Sequence, residues 1–597
     1  MKQEANNVRE ISQPEGKTSL GRFAFIVSCL AIALSALIFR IVDLQVLDNA
    51  FLQKQGDART VRYEVLDAHR GMITDRNGEP LAVSTPVETL WVNPSVARDP
   101  TDSKKDEKKF QEWLNCECWN RVAGLLKMDA QSIRARLQSG ANKEFVYLDR
   151  KVAPEVAQQV LALGVAGVHS RREYKRFYPA GEVATHLLGF VNIDENGQEG
   201  LELAYNDWLA GKAGKATVLK DRRGEVIKEL GLVEDAQPGN PLQLSIDLRL
   251  QYLAYRELKS AVKAHKAKSA SLVMLDVDTG EVLAMVNQPS YNPNNRKRLR
   301  VSSLRNRAMT DVFEPGSSMK PLTMAAALES GKFNPDSEID TSPGYLRFGR
   351  STIRDTHNYG VLRLEDIVAK SSNVGTSKIA IGLTGPVVWD MFYRMGLGQL
   401  TGLGFPGEGG GVLPQPYKWK NIQVATLSYG YGLNVTALQL AQSYLVLAAD
   451  GVKRPLSLLK QENQPQGEQI ISADVAHKVR LMLNKVVEKG GTGTRAQVAS
   501  YRVGGKTGTV HAVGNSGYEE SEYKALFAGM APIDSPKVVM VVVVDAPQGD
   551  EYYGGEVAAP VFSRVMENTM RILNVTPDSV GNQGRIAAHG LSSGERG

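Results

Sequence analysis

A serine and a lysine stand three residues apart in Glu314-Pro315-Gly316-Ser317-Ser318-Met319-Lys320-Pro321. On a helix, positions i and i+3 share a face, so the Ser317 hydroxyl and the Lys320 amine can meet. A serine hydroxyl is a weak nucleophile at neutral pH and needs a neighbouring base. Lysine can be that base only when neutral, and burial beside a second cation moves it that way. The chemistry on offer is acyl transfer through a serine ester. Alone the pair is a weak signal. On the order of one or two Ser-x-x-Lys matches arise by chance in a chain of this length, and a helix-capping serine is the ordinary reading.

Two further polar sets follow in order. Ser371-Ser372-Asn373 closes the helix-like Leu364–Lys370, and Lys506-Thr507-Gly508-Thr509 lies on the strand-like Tyr501–Val513. Lys506 supplies the second cation. Ser371 can relay a proton and Asn373 can hold a substrate amide. Lys506, with the Thr507 and Thr509 hydroxyls, can bind a carboxylate. The tetrahedral oxyanion needs two aimed N–H donors, for which the backbone of Ser317 and Thr509 are the candidates. Gly508 lets backbone and substrate approach closely. By contrast, Gly402-Leu403-Gly404-Phe405-Pro406-Gly407 fits a dinucleotide fingerprint only on paper. That site needs a helix to begin there, and Pro406 and Gly409–Gly411 forbid one.

These residues must be positioned by a larger frame. Pro321 cannot donate to the Ser317 carbonyl, so a helix is expected to start at or beside the serine, with its positive end toward developing charge. At 597 residues the chain exceeds one compact core and predicts two or more domains. A net charge of +6, with no long basic block, argues against nucleic acid as a partner. Cys116 and Cys118 are two apart, poor spacing for bridging each other, and are read as unpaired thiols. No metal-ligand spacing appears, and no cofactor is expected.

Residues 1–22 are polar and are read as cytoplasmic; the apolar run of residues 23–42 has the length of a membrane-spanning signal anchor. Everything after it would then lie outside the inner membrane. Residues 43–236 read as a mixed α/β region without a catalytic set. Within it, Asn77-Gly78 marks a turn, Asp99–Lys109 a charged loop before the amphipathic Phe110–Leu126, and Gly214–Glu225 a hairpin. Arg171–Pro179 is basic and aromatic, and strand packing is its commoner use. Residues 237–575 begin near Gln237-Pro238-Gly239-Asn240-Pro241. They predict a strand at Leu242–Ile246, a helix capped by Asp247, a hairpin over Ser271–Val286, and a doubly buried strand at Lys537–Val544. The expected fold is an α/β sandwich. Residues 576–597 read as a flexible tail.

Ser-x-x-Lys, Ser-x-Asn and Lys-Thr-Gly in that order form the motif set of penicillin-binding proteins and class A β-lactamases. From the anchor to about residue 573 the sequence resembles the class B penicillin-binding proteins, particularly the septal members of Gram-negative, pseudomonad-type bacteria. The likeness includes Arg70–Gly78, Arg176–Gly181, Phe313–Lys320, Ser371–Gly375, Ser428–Gly432 and Lys506–Thr509. It implies a single transmembrane helix, a non-catalytic pedestal (the dimerisation-type domain) that docks division partners, and a serine β-lactamase-like transpeptidase domain. It also implies an activity: cross-linking of peptidoglycan stem peptides from lipid II-derived strands, with covalent inhibition by β-lactams. Tyr523, Tyr552 and Tyr553 would form the aromatic wall of the β-lactam pocket; Tyr553 stands where the family often has phenylalanine. No glycosyltransferase domain fits ahead of residue 236, so polymerisation would fall to an FtsW-like partner among the divisome proteins. Three alternatives stay open: a hydrolase that ends the acyl-enzyme with water (carboxypeptidase or β-lactamase), a membrane β-lactam sensor, and a condition-specific paralogue of the septal enzyme. The β-lactamase needs a water-activating carboxylate. Sequence does not place one, although Asp355 and His357 lie between the motifs.

Overall fold

Leu20–Val42 forms one α-helix with no buried side chain. Among the described residues its apolar faces are buried by nothing, as suits a membrane-crossing helix, and it is the one helix there long and apolar enough to cross. The computed structural model describes residues 20–47, 49, 51, 54, 61–98, 103–220, 226–514 and 517–578. Most of the expected cytoplasmic segment, residues 221–225 of the expected hairpin and nearly all of the expected C-terminal tail lie outside them.

The first globular part carries two sheets. Strands β1 (Val61–Leu66), β6 (Gly214–Lys220) and β7 (Val226–Glu234) form a three-stranded antiparallel sheet. Strands β2 (Ile73–Thr74), β3 (Pro80–Val92), β4 (Val146–Val152), β5 (Val168–Phe177) and β8 (Leu242–Gln243) form the second. The Asn77-Gly78 turn joins β2 to β3 as expected. Gly78 takes φ +89°, and the Asp75 carboxylate accepts from Asn77 N at 2.7 Å and Glu79 N at 2.9 Å. Arg176, on β5, is buried, and so is Arg70; their guanidiniums meet the two carboxylate oxygens of the fully buried Glu202 at 2.7 and 2.6 Å. The basic run thus finds its anion inside the protein.

Three expectations are corrected here. The charged stretch before Phe110 is not a loop: a helix spans Ser103–Leu114, and a second, Cys118–Leu126, follows. Lysine and glutamate are good helix formers, and i,i+4 contacts support the turn: Gln111 donates to Glu107 at 2.9 Å and Lys108 lies 3.8 Å from Glu112. The break between these helices brings the Cα atoms of Cys116 and Cys118 to 5.1 Å, and their sulfurs are bonded rather than unpaired. Finally, of Leu242–Ile246 only Leu242–Gln243 is strand, and it runs parallel to β2. The residues after it stitch the two parts together. Ser245 Oγ donates to Val282 O at 2.8 Å, and Leu248 N donates to Asp75 Oδ2 at 3.0 Å.

The second part is a five-stranded antiparallel sheet. Strands β9 (Ser269–Asp276) and β10 (Val282–Gln288) form the expected hairpin, and β11 (Gly504–Gly514), β12 (Gly517–Ala531) and β13 (Val538–Asp545) complete the order β10-β9-β13-β12-β11. Strand side chains alternate between faces. In β13, Val538, Met540, Val542 and Val544 pack with the helices Leu248–Ala264 and Ala559–Ile572, while Val539, Val541 and Val543 join the core that holds the helix Ala437–Ala448. Helices on both faces account for the uninterrupted apolar run. Asp247 caps Leu248–Ala264 by accepting from Arg249 N at 3.0 Å. No helix begins in Gly402–Gly407.

Candidate active site

The serine sits where two glycines touch. Gly316, at φ +56°, donates its N–H to Gly430 O at 3.1 Å. Gly430 is at φ +87°, and a Cβ there would lie 2.2 Å from Gly316 O. Any side chain at Gly430 would therefore push the turn that carries Ser317. Gly316–Met319 forms a single 3₁₀ turn, and the α-helix Lys320–Glu329 continues from it with Pro321 in its first turn. The serine thus lies one turn ahead of the α-helix, close to the expected start. Ser318 Oγ donates to Pro315 O at 2.8 Å, and the buried Tyr444 hydroxyl donates to Ser318 O at 2.8 Å. Ser317 lines an open cavity of roughly 560 Å³, shared with Ser371, Asn373, Thr507 and Thr509.

Lys320 is fully buried. Its Nζ contacts Ser371 O at 2.6 Å, Ser371 Oγ at 3.0 Å and Asn373 Oδ1 at 2.8 Å. Its ring neighbour is Tyr429, with the centroid at 5.9 Å. Burial first, and then the nearby Lys506 charge, push the Lys320 amine well below the usual lysine range, while Asp355 pulls the other way. Lys506 is also fully buried, and burial lowers it to about 7. The expected side-chain bond between Ser317 and Lys320 does not form: the amine is taken up by Ser371 and Asn373 instead. A neutral amine has two N–H bonds and one lone pair. Three oxygens surround it, so it can donate to Ser371 O and Asn373 Oδ1 and accept from the Ser371 hydroxyl, the one oxygen there that also carries a proton.

Ser371 closes the helix Leu364–Lys370 in the left-handed region, at φ +59°. Ser372 then caps the helix Asn373–Leu383, its Oγ accepting from Gly375 N at 2.9 Å. Asp355 sits at the same helix start. Its Oδ2 accepts from Ser372 Oγ at 2.6 Å, and its Oδ1 accepts from Asn373 N at 2.5 Å and Val374 N at 3.0 Å. Asn373 Nδ2 donates to Arg354 O at 3.1 Å, which turns its oxygen toward Lys320.

The third side is β11, the last strand of its sheet, paired among the described residues only with β12. Alternation sends Thr507 and Thr509 to the cavity and buries Lys506 behind them. Lys506 Nζ donates to Thr507 O at 3.2 Å and Oγ1 at 3.3 Å. The Thr507 hydroxyl meets that of Thr492 at 2.8 Å, and Thr509 Oγ1 accepts from Gly554 N at 2.9 Å. A Cβ on Gly508 would lie 2.6 Å from the Leu526 side chain and 3.0 Å from Pro315 O. In this structure glycine is needed there for packing against those two residues. The tyrosines form a continuous aromatic row: Tyr523 and Tyr552 stack at 4.5 Å, and Tyr552 and Tyr553 lie 4.4 Å apart. Of the three, Tyr553 reaches the cavity lining.

Several lining residues carry no motif signature, among them Arg354, Lys370, Thr492 and Arg495. Only the adjacency of Lys370 to Ser371 could have flagged one of them.

Residues 270–567 match the penicillin-binding protein transpeptidase domain, and residues 65–244 match the penicillin-binding protein dimerisation domain. The chain is 42% identical over 566 residues, 95% of this chain and 98% of its relative, to the probable peptidoglycan D,D-transpeptidase PbpC of Pseudomonas aeruginosa. The chain belongs to the class B penicillin-binding proteins. Another member, the peptidoglycan D,D-transpeptidase FtsI of Escherichia coli K12, is 41% identical over 94% of this chain and 93% of its own. Among solved structures, the transpeptidase domain of Burkholderia pseudomallei penicillin-binding protein 3 is 41% identical, covering 56% of this chain and 97% of that one with a TM-score of 0.52. A peptidoglycan synthetase from Bifidobacterium adolescentis covers 87% of this chain and 98% of that one at 26% identity, with a TM-score of 0.68. In this penicillin-binding protein, the serine, both lysines and the Ser371–Asn373 corner all fall inside the span matched to the transpeptidase domain.

Proposed function

We propose that this penicillin-binding protein is a peptidoglycan D,D-transpeptidase acting in septal wall synthesis, anchored by Leu20–Val42 with its N-terminus cytoplasmic and its catalytic part periplasmic. Ser317 Oγ attacks the carbonyl of the penultimate D-alanine of a stem peptide. The proton passes to the neutral Lys320 amine through Ser371. The oxyanion is met by the N–H groups of Ser317 and Thr509. As the C–N bond breaks, the proton returns to the leaving D-alanine amine. An amine of a neighbouring strand then attacks the ester, gives up a proton along the same route, and releases Ser317. Lys506, Thr507 and Thr509 hold the terminal carboxylate, Asn373 the amide, and the row Tyr523, Tyr552 and Tyr553 flanks a bound β-lactam. An FtsW-like glycosyltransferase and other divisome proteins are the partners of the pedestal.

The observation that carries this reading is the buried, charge-depressed Lys320 amine held against Ser371 and Asn373 in the wall of the cavity that Ser317 lines. Covalent labelling of the full chain by a fluorescent penicillin is the test. Wild type is expected to label and Ser317→Ala is not; labelling that persists in the variant removes Ser317 as nucleophile. The β-lactamase alternative is disfavoured because both oxygens of Asp355 are engaged by donors of the Ser372–Val374 segment. Topology is checked by sequencing the N-terminus of the membrane-bound protein, where a start near residue 35–45 would exclude the anchor.

A further inference from the structure

Arg354 and Lys370 line the same cavity as Ser317 and are both exposed. Neither forms an ion pair with a carboxylate among the described residues. The Arg354 carbonyl accepts from Asn373 Nδ2 at 3.1 Å, and the Arg354 guanidinium lies 5.9 Å from the Tyr345 ring centroid. The Lys370 ammonium donates to Gly490 O at 2.9 Å, a neutral partner. The other charged residues of the lining are Asp355, Glu556 and Arg495. Asp355 accepts from three donors at a helix start. Glu556 accepts from Tyr553 N at 3.4 Å, and Arg495 is paired with Glu551 at 2.8 Å. Two exposed cations lining one cavity, neither paired with a carboxylate among the described residues, offer an entering anion a place to bind.

The terminal carboxylate of a D-Ala-D-Ala peptide belongs at β11. Arg354 and Lys370 flank the Ser371–Asn373 corner instead, where the upstream part of the donor chain would lie. We propose that they form a second anion subsite, which reads a carboxylate carried by the donor stem peptide on the N-terminal side of the scissile bond. This rests on the transpeptidase reading given above and names a specificity determinant within it. Arginine suits the role because its planar fork can take a carboxylate in two parallel bonds, while lysine adds a point charge.

The test uses the detergent-solubilised full chain and two synthetic pentapeptides ending in D-Ala-D-Ala. They are identical except that the upstream side-chain carboxylates are free in one and amidated in the other. D-Alanine release is measured. The wild type is expected to favour the free-acid peptide by about fivefold in kcat/KM at low salt, as befits exposed ion pairs, and the preference should shrink as ionic strength rises. Arg354→Gln and Lys370→Gln should each reduce it, the double variant should abolish it, and Arg354→Lys should keep part of it. Acylation by penicillin, which has no such upstream carboxylate, should keep its wild-type rate in all of them. Equal use of the two peptides by the wild type would overturn the subsite without any variant. So would a preference that survives in the double variant, or a double variant that loses penicillin acylation, since the cations would then be props of the wall. Failure of the wild type itself to react with penicillin would instead overturn the transpeptidase reading.

Discussion

Lys320 Nζ lies 3.0 Å from Ser371 Oγ, and both groups sit beside the cavity that Ser317 lines. The residue three positions from the serine is thus tied to a residue 51 positions farther along. That contact makes the first two motifs one device.

The buried lysines set a pH dependence. Lys506 falls from 10.5 to about 7 on burial. Between those values the unfolded chain holds a proton that the native chain lacks, so stability rises with pH across the window and is lowest below about pH 7. Lys320 adds a slope of the same sign. The advantage in melting temperature of Lys506→Met over wild type should therefore be largest below pH 7 and shrink steadily toward pH 10. A difference that stays flat with pH would refute the buried, depressed amine.

Gly430→Ala should disable the serine without touching it. Its new Cβ would meet Gly316 O at 2.2 Å, and its backbone is already at φ +87°. Overpacking of this kind costs about 1–3 kcal/mol, and the cheapest relief is to shift the turn that carries Ser317. Penicillin acylation should slow by about tenfold or more, since a displacement near 1 Å is worth about 10² in rate. A wild-type rate in stopped-flow measurements would contradict this.

Asp355→Asn should slow acylation and leave deacylation alone. The variant replaces a charged acceptor at a helix start, where such hydrogen bonds are worth about 1.5–3 kcal/mol. Asn373 should lose its orientation toward Lys320 as a result. Separate measurement of the two steps decides the matter, because slower deacylation would make Asp355 a water-activating base after all.

In the pedestal, Glu202→Gln leaves Arg70 and Arg176 buried without their countercharge. Breaking a buried ion pair from one side costs about 3–5 kcal/mol. Denaturant unfolding should show that loss, while the folded fraction should still react with penicillin at the wild-type rate. An unchanged midpoint would mean that the arginines find another anion.

What the sequence disclosed was local. The Asp247 cap, the β9–β10 hairpin and the apolar run of β13 each follow from a few neighbouring residues, and each stands as expected. The three motifs also converge on one cavity. The partners hidden from the sequence are long-range. Gly430 on Gly316, Asp355 on Ser372–Val374, and Leu242–Gln243 on β2 carry no periodic or spacing signal. Ser317 and Lys320 could be read as sharing a face, but not that Lys320 would turn to Ser371 and Asn373. The charged segment before Phe110 misled because its i,i+4 pairing leaves no apolar stripe.

Among the described residues the sheet stops at β11, which has a neighbour on one side only. A rim of that kind invites other chains to add themselves, and proteins usually blunt it with proline or exposed charge. Gly504–Thr509 has no proline, and its single charge is buried. The walls of the cavity guard it instead. A cavity of roughly 560 Å³ suits a thin, extended peptide better than the edge of a folded protein. Before any chemistry begins, the molecule has already sorted its partners by how much structure they carry.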